Sequence, residues 1–171
     1  MLKLRLTLVS FLQFFIWGSW LITIGAFWFK TKAWGPDPFG VIFSTMGISA
    51  LFMPAITGIL SDRFINAEKL YGILHILGGI GLFFVPAATT PDDMFWRILI
   101  TMIFYMPTIS MSNTVMYAIL SRQEGVDVVK VFPPIRVWGT VGFIVALWIV
   151  SLTGHEKDAF QFYLGGISSL F

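Results

Sequence analysis

The chain has 171 residues, of which 57% are hydrophobic and only 12% charged, and its formal net charge is +2. Soluble domains carry about 25% charged residues, so this chain has too few charges for a water-facing surface and most of it must lie in lipid. Its scattered basic residues exclude the clustered basic face of a nucleic-acid-binding protein, and its lack of cysteine excludes disulfides and thiolate metal sites.

Five apolar segments reach the roughly 18 to 20 residues that a helix needs to cross the hydrocarbon of a bilayer. Because backbone groups in lipid must be hydrogen-bonded within their own segment, we predict helices rather than strands. The predicted helices cover approximately residues 6–29, 38–61, 70–90, 97–121 and 134–154.

A last apolar run, residues 159–171, is too short to cross the bilayer and has no polar anchor at its end. We interpret it as a truncated sixth helix and the chain as part of a longer protein. The fold class that we predict is therefore an all-α membrane protein, with one transmembrane bundle formed by residues 1–171.

The charges of the short loops predict the orientation of this bundle. With a cytoplasmic N-terminus, seven of the eleven lysines and arginines lie on the cytoplasmic side. The positive-inside rule favours that arrangement. We therefore expect a multi-pass protein whose N-terminus is cytoplasmic.

The first predicted helix carries Gln13, Trp17 and Trp20 on one face, at helical spacing. A glutamine amide that faced lipid would lack hydrogen-bond partners. One amide and two indoles suit a planar, polar ligand, and packing between helices explains the same face equally well.

The second predicted helix ends in GILSDRF, in which Gly58 precedes Asp62 by four residues and Arg63 follows. We expect Gly58 to admit a neighbouring helix, and Asp62 to pair with Arg63. The pattern resembles the loop between helices two and three of the major facilitator superfamily, although Ile65 and Glu68 depart from it. An ordinary helix end with a surface ion pair is the alternative.

Two further helices carry polar groups whose role stays open. His75 in the third could carry a proton or simply hydrogen-bond a neighbouring helix. Ser110, Asn113 and Tyr117 share one face of the fourth, where they either line a cavity or join helices. No carboxylate lies in the middle of a predicted span, so a carboxylate that carried protons would belong to the absent part of the protein.

The fifth predicted helix should begin near Pro134, because proline suits the first turn of a helix. Arg136, Thr140 and Phe143 then follow on one face. An ionisable residue inside a membrane usually faces the protein interior or a wet cavity, although an arginine near a helix end can also reach back to the headgroups. Two hydrogen-bond donors and a flat ring suit a heteroaromatic ligand with several oxygens, and Gly142 nearby lets a helix or ligand approach.

Three stretches together resemble one family. They are SFLQFFIWGSWL at residues 10–21, the YMPT and NT segments of the fourth helix, and FPPIRVWGTVGF at residues 132–143. They are similar to the bacterial nucleoside:proton symporters of the major facilitator superfamily. This resemblance implies a twelve-helix transporter of the bacterial inner membrane, of which the chain supplies the N-terminal six-helix half and lacks the C-terminal half.

The same resemblance implies a nucleoside pocket. In that family, residues matching Arg136, Thr140 and Phe143 line the pocket. The resemblance implies that Phe143 packs on the base and that Arg136 and Thr140 hydrogen-bond the nucleoside. From the residues alone we add four candidates: Gln13, Trp17, Asn113 and Tyr117.

The function that we predict is import of nucleosides with protons by alternating access. The expected partners are nucleoside, protons, membrane lipids and the missing C-terminal half, with no nucleic acid, cofactor or metal. No enzyme motif is present, so we do not expect catalysis. The alternatives are a related transporter of a sugar or nucleobase, and a membrane module that does not transport.

Overall fold

The structure is a computed structural model that describes residues 1–171 and contains helices and no strand. Six main helices follow one another: α1 (Leu2–Gly18), α2 (Phe39–Arg63), α3 (Ala67–Phe84), α4 (Pro91–Ser121), α5 (Val128–Leu152) and α6 (Phe160–Ser168). Helix α5 packs along α1, and α4 packs against α2 and α3. The all-helical fold that the apolar segments predict is confirmed.

Four of these helices are long and apolar enough to cross a membrane, namely α2, α4, α5 and α3 with its short 3-10 extension to Ala87. The first predicted span is interrupted. Helix α1 ends at Gly18, and one turn at Ile24–Ala26 and a π-helical turn at Phe27–Thr31 follow. In the break, the Ser19 hydroxyl donates to the Ile16 backbone carbonyl at 2.7 Å, an interaction that competes with regular helix. The Thr23 hydroxyl donates to Gln161 Oε1 at 2.8 Å.

Helix α5 begins at Val128, six residues before the predicted start near Pro134. The side chain of Asp127 accepts a hydrogen bond from the Lys130 amide and caps the helix. Pro133 and Pro134 therefore lie inside the helix. Because proline has no N–H, two backbone carbonyls in the first turns of α5 lack a helical hydrogen-bond partner. These turns are exposed, so water can bond to the carbonyls and the prolines are tolerated. Arg136 consequently lies about two turns into α5 rather than one.

The contact between α1 and α5 depends on glycine. A Cβ atom at Gly142 would overlap the Phe11 carbonyl oxygen of α1, and one at Gly18 would overlap the Phe143 carbonyl oxygen of α5. The two backbones thus touch at both places. Of the two possibilities that we gave for Gly142, a helix rather than a ligand takes the space.

The C-terminal end of α2 differs from our expectation in its ion pairing. Within residues 1–171, no heavy atom lies within 4 Å of where a Cβ at Gly58 would be, so none of the helices α1 to α6 approaches this glycine. Asp62 and Arg63 are exposed and form no ion pair with each other, since consecutive residues of a helix point in different directions. The ion pair in this region joins Glu68 to Arg122, at 3.0 Å.

Candidate functional site

Arg136 is a half-buried cation with no anionic partner. Its guanidinium carbon lies 4.1 Å from the centre of the Phe14 ring on α1, which is a cation–π contact. The chain's ion pairs all involve other residues. A Cβ at Gly139 would lie 2.8 Å from the Arg136 Nη1 atom, so this glycine makes room for the guanidinium. The N–H donors of Arg136 are therefore available to a ligand.

An open recess of about 430 Å³ brings Arg136 together with other predicted residues. It is lined by Tyr117, Phe132, Pro133, Arg136, Val137 and Thr140. The rings of Tyr117 and Phe132 lie 4.3 Å apart and form an aromatic wall. The recess thus presents a cation, two hydroxyls and an aromatic surface, which is the chemistry expected for a heteroaromatic ligand with several oxygens.

Three other predicted residues lie outside this lining. Phe143 is half-buried one turn further along α5 than Thr140. The Nε1 atom of Trp17 and the Oδ1 atom of Asn113 are both buried without a hydrogen-bond partner. Buried polar atoms are normally satisfied, so each of these two is a place where a ligand or water could bind.

Gln13 lies in a different place from the recess, within a buried polar network. Its Nε2 atom donates to Thr108 Oγ1 at 2.9 Å. Its Oε1 atom lies 2.7 Å from the Tyr71 hydroxyl and 2.9 Å from His75 Nε2. The Tyr105 hydroxyl donates to the Gln13 backbone carbonyl. Gln13 also lines a second cavity, of about 250 Å³, together with Tyr71 and His75.

Our sequence analysis did not single out Tyr71, Tyr105 or Thr108. A signal for them exists in the sequence. Tyr71 and His75 are four residues apart, Tyr105 and Thr108 are three apart, and each pair therefore shares a helix face. Trp20, by contrast, is fully buried and stacks on Phe162 at 6.1 Å, so it serves packing.

Replacing Thr108 by valine should destabilise the protein by about 1–3 kcal/mol, because the buried Gln13 amide would lose its acceptor. Thr114→Val on the same helix is the matched control. Thr114 is exposed and makes only a 3.4 Å bond to the Ser110 carbonyl. Thermal unfolding in detergent compares the two, and equal midpoints would contradict a structural role of the network.

Comparison with known proteins identifies the family. Residues 1–171 match the sequence profile described as Nucleoside H⁺ symporter. The chain belongs to this family. It is 47% identical to the nucleoside permease NupG of Escherichia coli (strain K12) over 98% of its own length, and 45% identical to the xanthosine permease of the same organism over 99%.

Solved structures agree with the family assignment. The crystal structure of the nucleoside transporter NupG superposes with a TM-score of 0.93 over 98% of this chain, and that of its D323A mutant with 0.95 over 99%. The chain spans about 40% of the length of these curated relatives. The expected family and the expected transporter fold are thereby confirmed, and the named relatives are permeases rather than enzymes.

Proposed function

We propose that the protein containing this chain imports nucleosides across the bacterial inner membrane together with protons. The observation that carries the proposal is the recess in which Arg136, without an anionic partner, lies beside Thr140 and Tyr117. Two relatives are named as permeases of nucleosides and of xanthosine, which supports the same substrate class.

Each residue has a distinct role in the proposed site. Arg136 and Thr140 hydrogen-bond the oxygens of the nucleoside, and Phe143 packs on the base. Tyr117 extends the aromatic surface. Trp17 and Asn113 offer unpartnered polar atoms to water or substrate. Gln13 acts indirectly, because its amide already has protein partners.

Transport by this mechanism needs two halves that alternate between inward- and outward-facing states. In transporters built from such repeats the substrate lies near the middle of the membrane, between the halves. The chain spans about 40% of the length of its relatives, so the opposite wall of the pathway is assigned to the remainder of the protein. The proposed orientation has a cytoplasmic N-terminus, as the loop charges favour.

Uptake of radiolabelled uridine by cells that express the full gene product containing residues 1–171 tests the proposal. We expect accumulation that a proton uncoupler abolishes, and that unlabelled nucleosides compete with. Cells with empty vector, and cells expressing residues 1–171 alone, serve as controls and should accumulate none. Competition by sugars or free nucleobases in place of nucleosides would assign another substrate class, and accumulation by residues 1–171 alone would contradict the two-half mechanism.

A further inference from the structure

His75 lies at the centre of the polar network that joins α1, α3, α4 and α6, and the proposed substrate site does not use it. The ring is buried. Its Nε2 atom lies 2.9 Å from Gln13 Oε1, and its Nδ1 atom lies 3.2 Å from the Oγ atom of Ser169, which follows α6. The directions of the surrounding hydrogen bonds determine which ring nitrogens carry a proton.

The bond to Gln13 requires a proton on Nε2. The Thr108 hydroxyl donates its single proton to the Tyr105 carbonyl at 2.6 Å, so toward Gln13 it can only accept. The NH₂ group of Gln13 must therefore face Thr108, and its carbonyl oxygen must face His75. An amide oxygen is an acceptor only, so His75 Nε2 is the donor.

The bond to Ser169 places a proton on Nδ1 whenever the Ser169 hydroxyl donates elsewhere. The Ser169 hydroxyl donates to the backbone carbonyl of His75 at 2.7 Å. It has no second proton to give, so toward Nδ1 it accepts. Both ring nitrogens are donors in this arrangement, which means that the hydrogen bonds are those of an imidazolium.

Two tyrosine rings pack against the His75 imidazole. The centre of the Tyr71 ring lies 4.5 Å from that of the imidazole, and the centre of the Tyr105 ring lies 6.0 Å away, both in edge-to-face orientation. Both separations are typical of edge-to-face aromatic pairs. Each ring nitrogen also has an oxygen within hydrogen-bond distance, as a buried charge requires.

The groups that face His75 from the neighbouring helices contain no carboxylate and no second base. The titratable ones are Tyr71, on its own helix α3, and Tyr105 of α4. Helix α1 contributes the amide of Gln13, and Ser169 contributes a hydroxyl. His75 takes part in none of the chain's ion pairs. Within residues 1–171, no fixed counter-ion therefore holds the ring in its charged state.

The neutral ring also finds partners. If Nδ1 gives up its proton, the Ser169 hydroxyl can rotate and donate to Nδ1 in place of the His75 carbonyl, while the bond from Nε2 to Gln13 stays. One hydroxyl rotation thus separates the two states. A cavity of about 250 Å³, whose lining includes Gln13, Tyr71, His75 and Ser169, adjoins the ring and has room for water.

We infer that His75 is a reversible proton-binding site, which takes up one proton on Nδ1 and holds it between Gln13 of α1 and Ser169. The proton comes from water in the adjoining cavity, and the ring gains one positive charge. Through Gln13 the site connects to the helix that bears Phe14 and Trp17. A role of this site in symport rests on the proposed function, whereas proton binding itself can be tested without transport.

Nuclear magnetic resonance of the ring nitrogens tests this inference directly. Residues 1–171 contain two histidines, His75 and His155. We titrate the full gene product, labelled with ¹⁵N-histidine in lipid nanodiscs, from pH 8.5 to 5.5 as the variants His155→Gln and His155→Gln/His75→Gln. The difference between their spectra isolates the signals of His75. We expect a neutral ring protonated on Nε2 at high pH, and a ring protonated on both nitrogens at low pH. A ring that stays neutral throughout this range would overturn the inference.

A matched pair of variants tests the assigned acceptor. Ser169→Ala removes the oxygen that accepts from Nδ1, so at pH 6 the signal of the doubly protonated ring should be lost. Ser169→Thr keeps a hydroxyl and should retain that signal. The same doubly protonated signal in Ser169→Ala as in the parent would overturn the assignment. Uridine uptake is measured separately. The transport proposal can therefore fail while the spectra still show whether His75 binds a proton.

Discussion

Replacing Arg136 by alanine should reduce uridine uptake by about 10- to 150-fold while leaving the amount of protein in the membrane unchanged. A hydrogen bond from a charged donor contributes about 1.5–3 kcal/mol, and each 1.4 kcal/mol corresponds to a factor of ten in affinity. Within residues 1–171 no anion is paired with Arg136, so its removal leaves no charge unpaired there and we expect the effect on substrate binding. Initial uptake rates over a range of uridine concentrations measure it.

Two further substitutions make this experiment specific. Arg136→Lys keeps the charge and loses the planar fork, so we expect an intermediate loss of uptake. Lys130→Ala removes an exposed cation from the first turn of the same helix, and uptake should stay near that of the wild type. If uptake were unchanged in Arg136→Ala, the arginine would only reach the lipid headgroups and our assignment of the site would be wrong.

The second large effect is expected at the contact between α1 and α5. In Gly142→Ala the added methyl group would overlap the Phe11 carbonyl oxygen, and a backbone atom cannot move aside as the end of a side chain can. Overpacking of this kind costs about 1–3 kcal/mol. We therefore expect a lower unfolding midpoint and, because α5 bears Arg136, reduced uridine uptake as well.

A glycine on another helix provides the control. A Cβ at Gly47 of α2 would meet no heavy atom within 4 Å, so Gly47→Ala should leave the unfolding midpoint unchanged or raise it slightly, since alanine favours helix. Thermal unfolding of both variants in the same detergent makes the comparison. Equal midpoints for Gly142→Ala and Gly47→Ala would show that α1 and α5 do not pack as described.

The sequence by itself determined the class of the molecule. Where lipid is the solvent, the backbone hydrogen bonds of each apolar segment must form within that segment. An apolar segment of spanning length is therefore a helix, whatever its neighbours are. Helical periodicity also sufficed to put Arg136 and Thr140 on one face, and the structure brings both into one recess with Tyr117. The family was recognisable because the motif around Arg136 is a continuous run of residues.

The tertiary structure decided which neighbour each face meets. Gln13 bonds to Tyr71 and Thr108, which are 58 and 95 residues away in the sequence, and periodicity carries no information about partners at such distances. Within residues 1–171, Gly142 meets a helix and Gly58 meets no atom, although both lie within apolar helices. Helix α5 could extend back to Val128 because its prolines lie in exposed turns. Packing and access to water set these outcomes, and both are properties of the assembled bundle.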